Sequence, residues 1–89
     1  MYLHLGNDIV VKTEEIIGIF DLDNTTVSSH TRKYLSESEK KNQVIYVSYD
    51  LPKAFIVCKS KKDKNQKIYI SQISAQTLLK RIGYIENII

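Results

Sequence analysis

Eighty-nine residues, 43% of them hydrophobic and 26% charged, with one proline and three glycines, amount to one folded domain and exclude a multidomain enzyme, a disordered chain and a fibrous repeat. A chain this short buries only roughly 60–65% of the surface that its unfolded form exposes, so association is favoured early. The net charge of +3 is mild but uneven: residues 1–30 carry Lys12 against five carboxylates, whereas residues 54–67 carry five lysines against Asp63. That asymmetry suits a polyanion partner or head-to-tail docking between copies.

In chain order, residues 2–5 read as a short strand, and Gly6, Asn7 and Asp8 supply turn chemistry before the β-branched run Ile9, Val10, Val11, which predicts a hairpin. Residues 16–20 (Ile16, Ile17, Gly18, Ile19, Phe20) form a nearly continuous apolar run, as expected of a central strand covered on both faces. After a polar turn at 23–26, Ser28 or Ser29 caps a helix running to Lys41, whose apolar face is thin: Val27, Tyr34 and Leu35. Residues 44–49 and 54–59 read as strands joined at Asp50, Leu51, Pro52 and Lys53. Residues 67–73 read as the next strand, reached through a polar hairpin loop at 60–66.

Ser74 then caps a final helix over 75–82, with Ala75, Leu78, Leu79 and Ile82 on its packed face and Gly83 as its left-handed terminator. In that reading Lys80 and Arg81 complement the helix dipole in the last turn, and residues 84–89 form an apolar tail. The fold class expected is α+β. One domain over 1–89 is built on a mainly antiparallel sheet of five or six strands with two helices, and its sheet edges favour assembly between copies.

The N-terminus has no basic segment followed by an apolar one, and no stretch of about 18 apolar residues occurs, so a cytoplasmic protein without a membrane partner is expected. The single Cys58 and the separated His4 and His30 give neither a disulfide nor metal-ligand spacing, and no cofactor, metal or catalytic residue is expected. Phe20, Asp21, Leu22, Asp23, Asn24 and Thr25 reproduce the DxDxT signature of haloacid-dehalogenase-like phosphatases, in which two carboxylates and Mg²⁺ perform phosphoryl transfer. That chemistry requires a parallel sheet built of βαβ units. The pattern downstream is one of hairpins, and it supplies no acidic pair at a strand end.

Taken in order, the segments YLHLG at 2–6, DIVV at 8–11, IIGIFD at 16–21, VIYVSY at 44–49, LPK at 51–53 and YISQIS at 69–74 resemble the extracellular matrix regulatory protein family, RemA and RemB. The likeness is to the RemB (YaaB-like) branch of Gram-positive, spore-forming bacteria, and it extends from Met1 to about Gly83. The resemblance implies a small regulator whose RemA branch is similar to LytTR-type DNA-binding domains, assembles into rings and activates biofilm-matrix genes by binding DNA. In that branch DNA contact is attributed to arginines just before the strand at 16–20 and in the turn before the strand at 54. Here those places hold Glu15 and Asp50-Leu51.

The cationic set left for a nucleic acid is therefore Arg32, Lys33, Lys53, Lys59, Lys61, Lys62 and Lys64. Two functions follow. One is a non-enzymatic, homo-oligomeric regulator of matrix-gene expression that binds DNA through these cations. The other is an interaction or assembly subunit acting with a RemA-like partner, without direct DNA contact.

Overall fold

Asn7 and Asp8 both take left-handed backbone angles (φ 46° and 65°), and this lets β1 (Tyr2–Gly6) turn directly into β2 (Ile9–Lys12) through a two-residue loop. The computed structural model describes residues 1–22, 29–62 and 65–88, of which 83–88 are described by their backbone alone. The β1–β2 ribbon alternates as a one-sided sheet should: Leu3, Leu5 and Val11 are buried and Tyr2, His4 and Val10 exposed. A single 3₁₀ turn at Thr13–Glu15 leads from it into β3 (Ile16–Asp21).

The second sheet has four strands in the order β3-β5-β6-β4, where β4 is Val44–Tyr46, β5 is Ala54–Lys59 and β6 is Gln66–Ser71. One core lies between this sheet and the layer made by the ribbon and α2 (Ala75–Ile88), with Leu5, Ile56 and Leu78 fully enclosed. A smaller core on the other face joins Phe55, Val57, Ile68 and Ile70 to α1 (Ser29–Lys40), which contributes the half-buried Leu35. The fold is α+β, with six strands and two helices among the described residues.

The structure corrects four sequence expectations. The strand at 16–20 is not central: among the described residues β3 pairs only with β5 and forms a sheet edge, leaving Ile17 57% and Phe20 46% exposed. The centre belongs to β5, whose first five residues, Ala54 to Cys58, are all buried; both runs are apolar, but Gly18 gives β3 no side chain to pack at its midpoint. The segment at 44–49 does not pair with β5. It is a strand only through Tyr46 and runs parallel to β6, because the seven-residue connection 47–53 lets the chain cross the end of β6 before entering β5. The strands also divide into a ribbon and a four-stranded sheet rather than one sheet.

Lastly, Gly83 does not end α2, which continues to Ile88. A helical glycine costs only about 1 kcal/mol relative to alanine, and Leu78, Ile82 and Ile85 recur at spacings of four and three across it. Arg81 is therefore not in the last turn. Its guanidinium instead donates to the His4 carbonyl (3.1 Å), holding the helix against the ribbon.

Other local expectations stand. Ser74 Oγ accepts the Thr77 N–H (3.2 Å) and caps α2. Asn42, at φ 58°, closes α1, with its N–H on Glu39 O and the Gln43 N–H on Ser38 O, so the helix stops one residue before Lys41. The β5–β6 hairpin forms as expected, in the register Cys58↔Lys67 and Lys59↔Gln66. Ser28 and Val27 lie outside the described residues.

The buried Ser71 joins the two sheets: its hydroxyl donates to the Leu5 carbonyl (2.7 Å) and accepts the Ile73 N–H (3.0 Å). Ser71→Ala strands both backbone groups, and an expected loss of about 1–3 kcal/mol in urea unfolding checks this.

Candidate nucleic-acid interface

The ribbon register places Lys12 opposite Tyr2, and the hairpin register carries Lys59 to the end of β5, so both lysines emerge at the same end of the molecule. Between them, Met1, Tyr2, Lys12, Lys59, Lys61 and Lys62 line an open groove of about 510 Å³. Glu14 and Glu15 complete its wall, and the α-amino group of Met1 lies 3.9 Å from Glu14 Oε1. A second recess of about 250 Å³ shares Tyr2, Lys12, Glu15 and Ser60 and continues inward to Lys67, Tyr69 and Cys58. The result is a trough with a lysine rim and two tyrosines on its walls. Lys59 also borders a polar recess formed with the second half of α1, where Lys41 joins it.

The sequence-predicted cations divide. Lys59, Lys61 and Lys62 come together in this trough, and Lys64 lies outside the described residues. Lys53 precedes β5 at the opposite end of the strand, roughly 20 Å away at about 3.3 Å per residue. Its N–H and carbonyl extend the sheet to Ser71 and Leu22, and its side chain is exposed. Arg32 and Lys33 are exposed on α1, on the far face of the sheet. Lys12 is the cation that sequence reasoning missed, while Lys67, the last of the lysine run, lines the second recess. Lys12 sits alone in an acidic third of the chain, and only the ribbon's packing carries it to the hairpin lysines.

Glu15 is half-buried in the 3₁₀ turn, beside the start of β3. Burial, and then the charge of Glu15, pushes the Cys58 thiol up to about 11. Tyr69 is raised in the same direction by burial and by Cys58 and Glu15. A thiol held protonated in this way is a strand residue rather than a nucleophile at neutral pH. Of the phosphatase-like signature, Asp21 is exposed at the end of β3, and Asp23, Asn24 and Thr25 lie outside the described residues. His4 and His30 are exposed, on β1 and α1.

The other position at which the resemblance expects arginine is an apolar projection. Tyr49 is 92% and Leu51 84% exposed on either side of Asp50, and Tyr49 stacks on Tyr46 of β4 with ring centroids 5.8 Å apart. The loop is braced at its base, where Ser48 Oγ accepts the Asp50 N–H (3.2 Å) and lies 3.1 Å from Gln72 Oε1. Tyr46 in turn bonds Glu39 of α1, and burial followed by that carboxylate raises its hydroxyl above the ordinary tyrosine value. Among the described residues, no helix is long and apolar enough to cross a membrane.

The chain is similar to known proteins. The family model described as RemA-like, extracellular matrix regulatory protein A-like, matches residues 2–82. Extracellular matrix regulatory protein B of Bacillus subtilis (strain 168) is 36% identical over 84 residues, 94% of this chain and 93% of that protein.

Proposed function

The chain belongs to the RemA-like family of extracellular matrix regulatory proteins, and from that premise we propose that it is a non-enzymatic, self-associating regulator of matrix-gene expression in the cytoplasm that touches DNA through the Lys12, Lys59, Lys61 and Lys62 trough. One observation carries the reading. Among the described residues, four lysines and the N-terminal amine surround one groove at one end of the sheet, against only two carboxylates. Phosphate contacts by lysines supply affinity without sequence selection, so DNA binding through this trough is weak for one copy and gains from repetition in an assembly.

The test is titration of an AT-rich duplex at about 50 and 200 mM salt. Four released counterions weaken binding roughly 100-fold over that range. Binding that does not change with salt, or none at 50 mM, overturns the assignment. A second reading is favoured by the projection at Tyr49 and Leu51, which stands where a DNA-contacting relative is expected to carry cations. In it the protein is an interaction subunit acting with a RemA-like partner, without DNA contact. Absence of duplex binding at 50 mM by a correctly folded chain selects that reading.

A further inference from the structure

On the α1 side of the four-stranded sheet two apolar surfaces remain uncovered by the described residues, one on each flank of the helix. The first is the projection of Tyr49 and Leu51, fixed at the β4 edge by the stack of Tyr49 on Tyr46. The second is a groove of about 360 Å³ between α1 and the β3 edge. Its floor is the buried Phe55 and Val57, and its wall is the exposed Ile17 and Phe20, with Phe20 stacked on Phe55 at 4.8 Å. Both lie open because α1 offers little apolar surface. Leu35 packs on the cluster of Phe55, Val57, Ile68 and Ile70, and Tyr34, tied by its hydroxyl to Gln66 (2.8 Å), stops at the border of the groove.

We propose that the two surfaces are the halves of one head-to-tail contact, in which Tyr49 and Leu51 of one copy seat in the Ile17–Phe20–Phe55 groove of a second copy. This rests on the self-association part of the reading above and supplies its interface. A chain does not fill its own groove. The strand order separates β3 from β4 by three strand spacings, roughly 14 Å, with α1 between. The charges are complementary: Asp50 sits between the two apolar side chains, and the half of α1 that borders the groove carries His30, Arg32 and Lys33 with no acidic residue before Glu37. Aromatic and aliphatic side chains seated in an apolar pocket beneath a polar rim are the usual carriers of association energy. Because projection and groove are different patches, the contact is heterologous, and each copy keeps one free half for the next neighbour.

Mixing two defective chains tests this. Tyr49→Ser/Leu51→Ser removes the projection and leaves the groove. Ile17→Glu charges the groove and leaves the projection. Both sites are exposed, and circular dichroism with a thermal melt confirms that each variant folds. In sedimentation, the wild-type chain assembles, while each variant alone associates roughly 30-fold more weakly or worse and runs as a monomer. A 1:1 mixture recovers a dimer and nothing larger, since one intact projection then meets one intact groove. Wild-type mass in either single variant, or a mixture that stays monomeric, overturns the interface.

A charge exchange gives an independent check. Asp50→Lys weakens assembly, and Arg32→Glu/Lys33→Glu added in the same chain restores it; no restoration overturns the assigned pairing. A wild-type chain that is itself monomeric overturns both this contact and self-association, whereas the duplex titration decides DNA binding separately.

Discussion

Replacing Lys59, Lys61 and Lys62 together with glutamate is expected to lower duplex affinity at about 50 mM salt on the order of 100-fold and to flatten its salt dependence to about one released counterion. The three side chains are exposed on one wall of the groove, so the substitutions leave the core untouched and the melting temperature within a few degrees of wild type. Lys12, across the groove on the ribbon, supplies the residual slope. Glu15→Gln is expected to act in the opposite direction, strengthening binding several-fold, because it removes a carboxylate that faces the same phosphates. Lys53→Glu serves as the control. That cation stands at the far end of β5, and its reversal leaves the slope within about one counterion of wild type. A loss at Lys53 equal to that of the triple change would contradict the trough as the DNA-contacting surface.

The largest effect on stability is expected at the centre of the four-stranded sheet. Ile56 has no exposed surface and pairs with Ile19 of β3 on one side and Tyr69 of β6 on the other. Ile56→Ala removes three carbons from a site enclosed on both sides, and about 2–5 kcal/mol is expected to be lost in denaturant unfolding. For a domain at the lower end of the usual range, about 5 kcal/mol, a loss at the upper end of that figure leaves a partly unfolded population at room temperature. Ile17→Ala is expected to cost less than about 1 kcal/mol in the monomer, because more than half of that side chain is already in water. The ratio of the two effects reports which apolar strand is central. A cost at Ile17 equal to that at Ile56 would mean that β3 is covered on both faces.

These two substitutions mark where local reading of the chain succeeds and where it stops. Asn7 and Asp8 announce their turn, Ser74 its cap, and the polar loop between Lys59 and Gln66 its hairpin, because φ preference, capping and alternation involve residues only a few positions apart. The family is legible in the same way, from the order of short segments along the chain. The lysine run at 59–62 and the carboxylate at Glu15 are visible as charges.

By itself, then, the sequence determined the elements, the α+β class, the family and three of the four lysines of the groove. Only the tertiary structure decided that β5 rather than β3 is central, that β4 runs parallel to β6, that α2 passes through Gly83, and that Lys12 faces the hairpin lysines while Lys53 does not. Strand order is a competition between apolar runs of nearly equal strength. It is settled by which of them can be covered on both faces at once, and that depends on residues far apart in the chain. Charge convergence follows strand order, since a lysine's neighbours across a groove are set by register and by the end of the sheet at which its strand terminates.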